Sequence, residues 1–69
     1  MIVFETIVRL DGEEPLTGLH STRQAAVINT IKHRSNPKVT GIEVHKTKIT
    51  IKGKETLECV YSWSPDKSK

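Results

Sequence analysis

The chain has 69 residues, with eleven lysines and arginines, eight aspartates and glutamates, a net charge of +3 and a single cysteine. A domain of this size gains only about 3–5 kcal/mol of net stability from its core, which leaves little to offset the strain of a catalytic cleft. A single cysteine excludes an intramolecular disulfide, and we find neither a secretory leader nor an apolar stretch of membrane-spanning length. We therefore expect a cytoplasmic, non-enzymatic domain.

The first segment, residues 2–10, has the pattern of a β-strand. One face carries most of its apolar residues, and the other face adds two more (Ile2, Phe4, Val8 and Leu10; Val3 and Ile7). A strand that is apolar on both faces is typical of the interior of a sheet. Asp11 and Gly12 then predict a turn, and Pro15 is incompatible with a central position in a sheet. The segment "LTGLH" at 16–20 predicts a short second strand.

The segment "STRQAAVINTIKHR" at 21–34 predicts the single helix. Ser21 and Gln24 have the spacing of a capping box. An apolar stripe is expected to face the sheet (Ala25, Val27, Ile28 and Ile31). Three basic residues are expected in the last turn, where positive charge is favourable (Lys32, His33 and Arg34). Pro37 disfavours helix at Asn36, so we expect the helix to end before it.

The segment from Lys38 to Trp63 predicts three antiparallel strands, because its apolar residues recur with a period of two. A two-residue loop at Lys46 and Thr47 pairs Val44 with Ile49. A three-residue loop at 53–55 pairs Ile51 with Leu57. The predicted fold is therefore a single α+β domain over residues 1–63, of order β(β)αβββ, with one helix on a mainly antiparallel sheet. Residues 64–69 are expected to form a flexible polar tail.

The alternating stretch "KTKITIKGK" at 46–54 raises the possibility of a nucleic-acid surface. The predicted register places Lys48 and Lys52 diagonally beside Glu43 and Glu58, so the lysine row would be mixed in charge. It also lacks the exposed aromatics that stack on bases. Nucleic-acid binding is therefore the alternative function, through basic residues of the helix and the sheet (Arg23, Lys32, Arg34, Lys46, Lys48, Lys52 and Lys54).

Metal and thiol chemistry are not indicated. The three histidines, His20, His33 and His45, are widely spaced, and one cysteine cannot complete a zinc site. We expect no metal and no other cofactor. Cys59 follows the parity of Leu57 and is expected to be a small buried residue.

The preferred function is a small protein-binding regulator or inhibitor. Tyr61 and Trp63 share one parity and are candidate binding anchors, since both residue types are frequent hot spots. The other candidates lie on the mixed-charge face (Lys48, Thr50, Lys52 and Glu58). In outline alone, the layout is similar to small phage proteins that bind and inhibit host enzymes. The expected partner is another protein, not a membrane, and an exposed edge strand would also permit a homodimer.

Overall fold

The computed structural model describes residues 1–65, in which four strands and one helix follow the order ββαββ. The elements are β1 (Ile2–Leu10), β2 (Glu13–His20), α1 (Arg23–Ile31), β3 (Val39–Thr50) and β4 (Gly53–Trp63). The strands form one antiparallel sheet in the order β2-β1-β3-β4. The predicted α+β class is therefore confirmed. Of the predicted tail at 64–69, residues 66–69 lie outside the described part of the chain.

The first two strands agree with their sequence patterns. β1 lies between β2 and β3, as expected for a strand that is apolar on both faces. Asp11 and Gly12 form a two-residue turn in which Gly12 has φ +76°, a conformation that favours glycine. β2 begins at Glu13, earlier than predicted, and therefore contains Pro15. A proline is tolerated there because β2 is an edge strand.

The sequence pattern predicted three strands after the helix, but the structure has two. This is the main error of the predicted fold. β3 continues through Lys46 and Thr47 without a loop and turns only at Ile51 and Lys52. β3 continues because the whole length of β1 pairs with it, from Leu10 opposite Val39 to Ile2 opposite Lys48. The predicted pairs of Val44 with Ile49 and of Ile51 with Leu57 are therefore absent.

The buried side chains lie mainly on one face of the sheet, which we call the helix-covered face. Val8 is paired with Ile42 and Thr6 with Val44, and directly opposed residues share a face. All four are buried, with Ile42 and Val44 at 0% exposure. The cluster of Val8, Val39 and Ile42 is extended by partly buried apolar residues (Leu10, Tyr61 and Trp63).

The helix packs on this face through different residues from those predicted. Ala26 and Thr30 are its buried residues, whereas Ile28 and Ile31 are 58% and 49% exposed. Thr30 tolerates burial because its hydroxyl donates to the Val27 carbonyl at 2.7 Å. Small residues allow α1 to lie close to the sheet, and they turn the two isoleucines toward solvent. The predicted inward stripe is therefore wrong by about half a turn.

The helix also begins and ends differently from the prediction. Its N-cap is Thr22, whose hydroxyl accepts a hydrogen bond from the Ala25 amide at 3.1 Å, and the capping box of Ser21 with Gln24 is not formed. The helix ends at Ile31. The basic residues predicted in its last turn therefore follow the helix (Lys32, His33 and Arg34).

This cap gives a direct test of the local structure. Thr22→Ala is expected to lower the free energy of unfolding by about 1 kcal/mol, because the Ala25 amide loses its acceptor. Ser21→Ala is the matched control and should change it by less than about 0.5 kcal/mol. Urea titrations followed by circular dichroism would measure both. A larger loss in the free energy of unfolding for Ser21→Ala than for Thr22→Ala would show that Ser21 is the N-cap residue.

Candidate functional site

The turn between β3 and β4 presents an unusual exposed side chain. Ile51 is fully exposed, at 103% of its reference area, and every residue from 50 to 59 is exposed. Hairpin turns normally carry glycine, asparagine, aspartate, proline or serine, not isoleucine. We call Thr50, Ile51, Lys52 and Gly53 the hairpin tip. It places an aliphatic side chain at the end of the β3–β4 hairpin.

Hydrogen bonds within the hairpin tip and to Met1 support its conformation. The Lys52 amide donates to the Thr50 hydroxyl at 3.2 Å, and Gly53 takes φ +129°, which favours glycine. At the base of the tip, the Ile49 amide donates to the Met1 carbonyl at 2.7 Å. A turn ordered before it meets a partner loses less conformational entropy on binding.

The lysines around the hairpin tip are mixed with carboxylates, although through different pairs from those predicted. Lys46 lies opposite Glu58 and Lys48 lies opposite Glu55 across β3 and β4. The Lys54 ammonium contacts the Glu5 carboxylate at 3.0 Å. The predicted diagonal of Lys48 and Lys52 with Glu43 and Glu58 is absent, because Lys52 lies in the turn. The mixed charge itself is present.

The basic residues of the nucleic-acid alternative lie in two regions of the chain. Arg23 opens α1, and Lys32 and Arg34 follow its end. The others lie on the hairpin, where they alternate with the carboxylates just described (Lys46, Lys48, Lys52 and Lys54). The structure therefore divides the predicted basic set between two elements.

The aromatic pair lies at the other end of β4 from the hairpin tip. Tyr61 is opposite Val44 and Trp63 is opposite Ile42, so both rings lie on the helix-covered face and pack against the core. The Arg34 guanidinium lies over both rings, 5.7 and 5.5 Å from their centroids. Such contacts contribute about 0.5–2 kcal/mol each. The six predicted protein-binding residues therefore form two separate groups, and the aromatic group also supports the core.

Cys59 is not the buried residue that its parity predicted. It is exposed, its thiol donates to the Tyr61 carbonyl at 3.4 Å, and it lies opposite His45 on β3. The prediction failed because register shifts interrupt β4 on both sides of Cys59 and change its parity. An open depression of about 350 Å³ is lined by Arg9, Glu43 and Trp63 among others, and neither Cys59 nor His45 lines it.

A small charged network occupies the face opposite the helix. The Glu43 carboxylate accepts from His45 Nε2 at 2.8 Å and from the Arg9 guanidinium at 3.3 Å. The hydrogen bond from His45, followed by that from Arg9, holds the pKa of Glu43 below its usual value of 4.5. The folded state therefore favours the ionised carboxylate, and this stabilisation is present above the usual glutamate pKa.

The network predicts a pH dependence with a defined sign. As the pH falls from about 4.5 through the lower pKa of folded Glu43, the contribution of this carboxylate is lost. Glu43→Gln should cost about 1 kcal/mol or less at pH 7, since the group is partly exposed, and should flatten the acid side of the stability curve. Urea titrations between pH 3 and 7 measure this, with Glu58→Gln as control. An unchanged acid slope in Glu43→Gln would contradict it.

Two exposed apolar features were missed in the sequence, for different reasons: Ile51 on the hairpin tip, and the pair Ile28 and Ile31 on the helix. Ile51 was placed in the core because parity matched it with Leu57. The glycine at position 53, directly after Ile51 and Lys52, is the signal that favours a turn there. For the exposed Ile28 and Ile31, the only signal is the small pair Ala26 and Thr30, four residues apart.

Comparison of the chain with protein-family models, with curated proteins and with solved structures found no match. Within residues 1–65, no cluster of three or more histidine, cysteine, aspartate or glutamate side chains could hold a metal ion. In the same part of the chain, α1 is the one helix, and it is too short and too polar to cross a membrane.

Proposed function

We propose that this protein is a small, non-enzymatic protein-binding regulator or inhibitor that engages its partner with the hairpin tip. The observation that carries the proposal is the complete exposure of Ile51 on an ordered turn. An aliphatic side chain in water has no role in the fold, whereas its burial in a partner contributes about 1.5–3 kcal/mol. Because the turn is already formed in the free protein, its burial would lose little conformational entropy.

The partner surface is expected to hold an apolar pocket with carboxylates at its rim. Ile51 would fill the pocket, and the neighbouring Lys52, which is exposed, would meet the rim. Lys48 and Glu58 lie further along the hairpin and would set orientation more than affinity, since each faces an opposite charge on the adjacent strand. Because a pocket is needed, we expect a folded partner in the same compartment, which the lone cysteine suggests is cytoplasmic.

Protein is favoured over nucleic acid for two reasons. The exposed residue at the tip is aliphatic and offers neither charge to a phosphate nor an aromatic ring to a base. The lysines beside it are opposed by glutamates, which weakens any uniform positive field. Sheet extension through β4, including the predicted homodimer, is a weaker mode, because the register shifts in β4 interrupt regular pairing.

Affinity capture tests the proposal. Immobilised wild-type protein, Ile51→Asp and Leu19→Asp would each be exposed to a lysate of the source organism, and bound proteins identified by mass spectrometry. Leu19 is the matched control, an exposed leucine (53%) on β2, far from the hairpin tip in the sheet order.

The expected result is one protein retained by the wild type and by Leu19→Asp but not by Ile51→Asp. Equal retention by all three would remove the hairpin tip from the interface. Capture that disappears on nuclease treatment and above about 200 mM salt would instead support the nucleic-acid alternative.

A further inference from the structure

The outer side of α1 carries apolar residues where a solvent-exposed helix normally carries polar ones. Ala26 and Thr30 face the sheet, and Ile28, two positions from each, points about 200° away from them. Ile28 and Ile31 lie one turn apart and are 58% and 49% exposed. We call this pair the outer helix face. It is separate from the hairpin tip, which belongs to another element.

The chain segment that carries the outer helix face contains only basic and neutral residues. No aspartate or glutamate occurs in the sequence between Glu14 and Glu43. Arg23, Lys32 and Arg34 flank the two isoleucines along the chain and are exposed. In the described residues 1–65, the ion pairs formed involve other groups, so these three cations have no carboxylate partner there.

We infer that the outer helix face is a second binding surface, and that its ligand is an acidic amphipathic segment of another protein. Apolar side chains of that segment would cover Ile28 and Ile31. Its carboxylates would meet Arg23 and Lys32 on either side. Arg34 would contribute less, because its guanidinium is already placed over Tyr61 and Trp63. The inference depends on a different surface from the hairpin tip, so either can fail without the other.

Other anionic ligands fit this surface less well. Two isoleucines at the centre offer nothing to a phosphate backbone, and they would remain in water beside bound nucleic acid. A lipid surface requires a broad apolar face on the helix, whereas the inward side of α1, with Ala26 and Thr30, is committed to the sheet. A protein segment can match both the narrow apolar pair and its basic rim.

A peptide titration tests this inference without knowledge of the natural partner. The probe is a synthetic helix-forming peptide with leucine at positions i, i+3, i+4 and i+7 and glutamate at most others. One matched peptide replaces glutamate with lysine, and another replaces leucine with glutamine. Amide chemical shifts of the isotope-labelled full chain are followed at low salt, with anionic phospholipid vesicles and a short DNA duplex as parallel titrants.

The acidic leucine peptide should shift amides of α1 and bind at least about tenfold more tightly than either matched peptide. Ile28→Gln and Lys32→Gln should each weaken it several-fold. Ile51→Asp and Leu19→Gln should leave it unchanged. Absence of shifts in α1, equal binding of the lysine or glutamine peptide, or binding only to vesicles or duplex would overturn the inference. Loss of peptide binding in Ile51→Asp would assign the peptide to the hairpin tip instead.

Discussion

Ile42→Ala is expected to remove most of the protein's free energy of unfolding. Ile42 has no exposed surface, lies at the centre of the helix-covered face and is paired with Val8 and Trp63 on its two sides. Truncation of such a residue costs about 2–5 kcal/mol, through the lost transfer energy and the cavity left behind. A domain of this length has only about 3–5 kcal/mol in total. Circular dichroism and urea titration would measure the loss.

The matched control for this prediction is the same substitution on the helix. Ile28→Ala should change the free energy of unfolding by about 0.5 kcal/mol or less, because Ile28 is more than half exposed and alanine favours helix. A loss above about 2 kcal/mol at Ile28 would mean that α1 packs through its isoleucines, as the sequence pattern predicted. That result would also remove the outer helix face as a binding surface.

Ile51→Asp is expected to weaken binding to the captured partner by about thirtyfold or more, without affecting stability. A buried anchor contributes 2 kcal/mol or more, about a thirtyfold change in Kd. The aspartate would also place a charge in an apolar pocket. Because Ile51 is fully exposed in the free protein, the free energy of unfolding should change by less than about 0.5 kcal/mol. Isothermal titration calorimetry with purified partner measures the affinity.

Two further variants separate shape from charge at the hairpin tip. Ile51→Leu preserves the apolar volume and should retain binding within about tenfold. Lys52→Glu should weaken binding mainly at low salt, since an exposed charge at a rim acts through screened electrostatics. Equal effects of Lys52→Glu at about 50 and 500 mM salt would mean that Lys52 is buried in the complex rather than at its rim.

Trp63→Ala is not a suitable probe of binding, although Trp63 was a predicted anchor. Its ring packs against the core cluster and lies under the Arg34 guanidinium. Its truncation therefore removes core contacts, and any loss of partner binding would reflect unfolding. A site variant in so small a domain requires a residue that the fold does not use, and Ile51 meets that condition.

The fold was predictable wherever one strand's own pattern was sufficient. β1 was identified, with its interior position, because apolar residues occupy both of its faces. Pro15 was expected in the turn before β2, but it lies within β2, which tolerates it as an edge strand. The third strand was predicted in two pieces because Ile49 and Ile51 have the opposite parity to Ile42 and Val44, and a loop at Lys46 and Thr47 would bring both pairs to one face. The sequence pattern contains nothing to say that Met1 and Ile2 would extend the pairing of β1 and keep β3 continuous.

The candidate surfaces were less predictable because they depend on which of two patterns is buried. In α1, burial of isoleucine would gain more from the hydrophobic effect, whereas Ala26 and Thr30 allow the helix to approach the sheet closely. Which side of α1 is buried depends on how closely the helix axis approaches the sheet, and that distance is set only in the assembled fold. The same applies to Ile51, whose exposure follows from where β3 ends. The lysine alternation predicted a mixed-charge face through the wrong pairs: lysines and glutamates do oppose each other across β3 and β4, but as Lys46 with Glu58 and Lys48 with Glu55.

Site-specific photo-crosslinking tests most directly whether the hairpin tip enters the partner. A photoreactive phenylalanine would replace Ile51 in one protein and Leu19 in another, and both would be irradiated with the captured partner. We expect a covalent complex from position 51, with the crosslinked partner peptide rich in apolar and acidic residues, and none from position 19. A complex formed from position 19 but not from position 51 would contradict it.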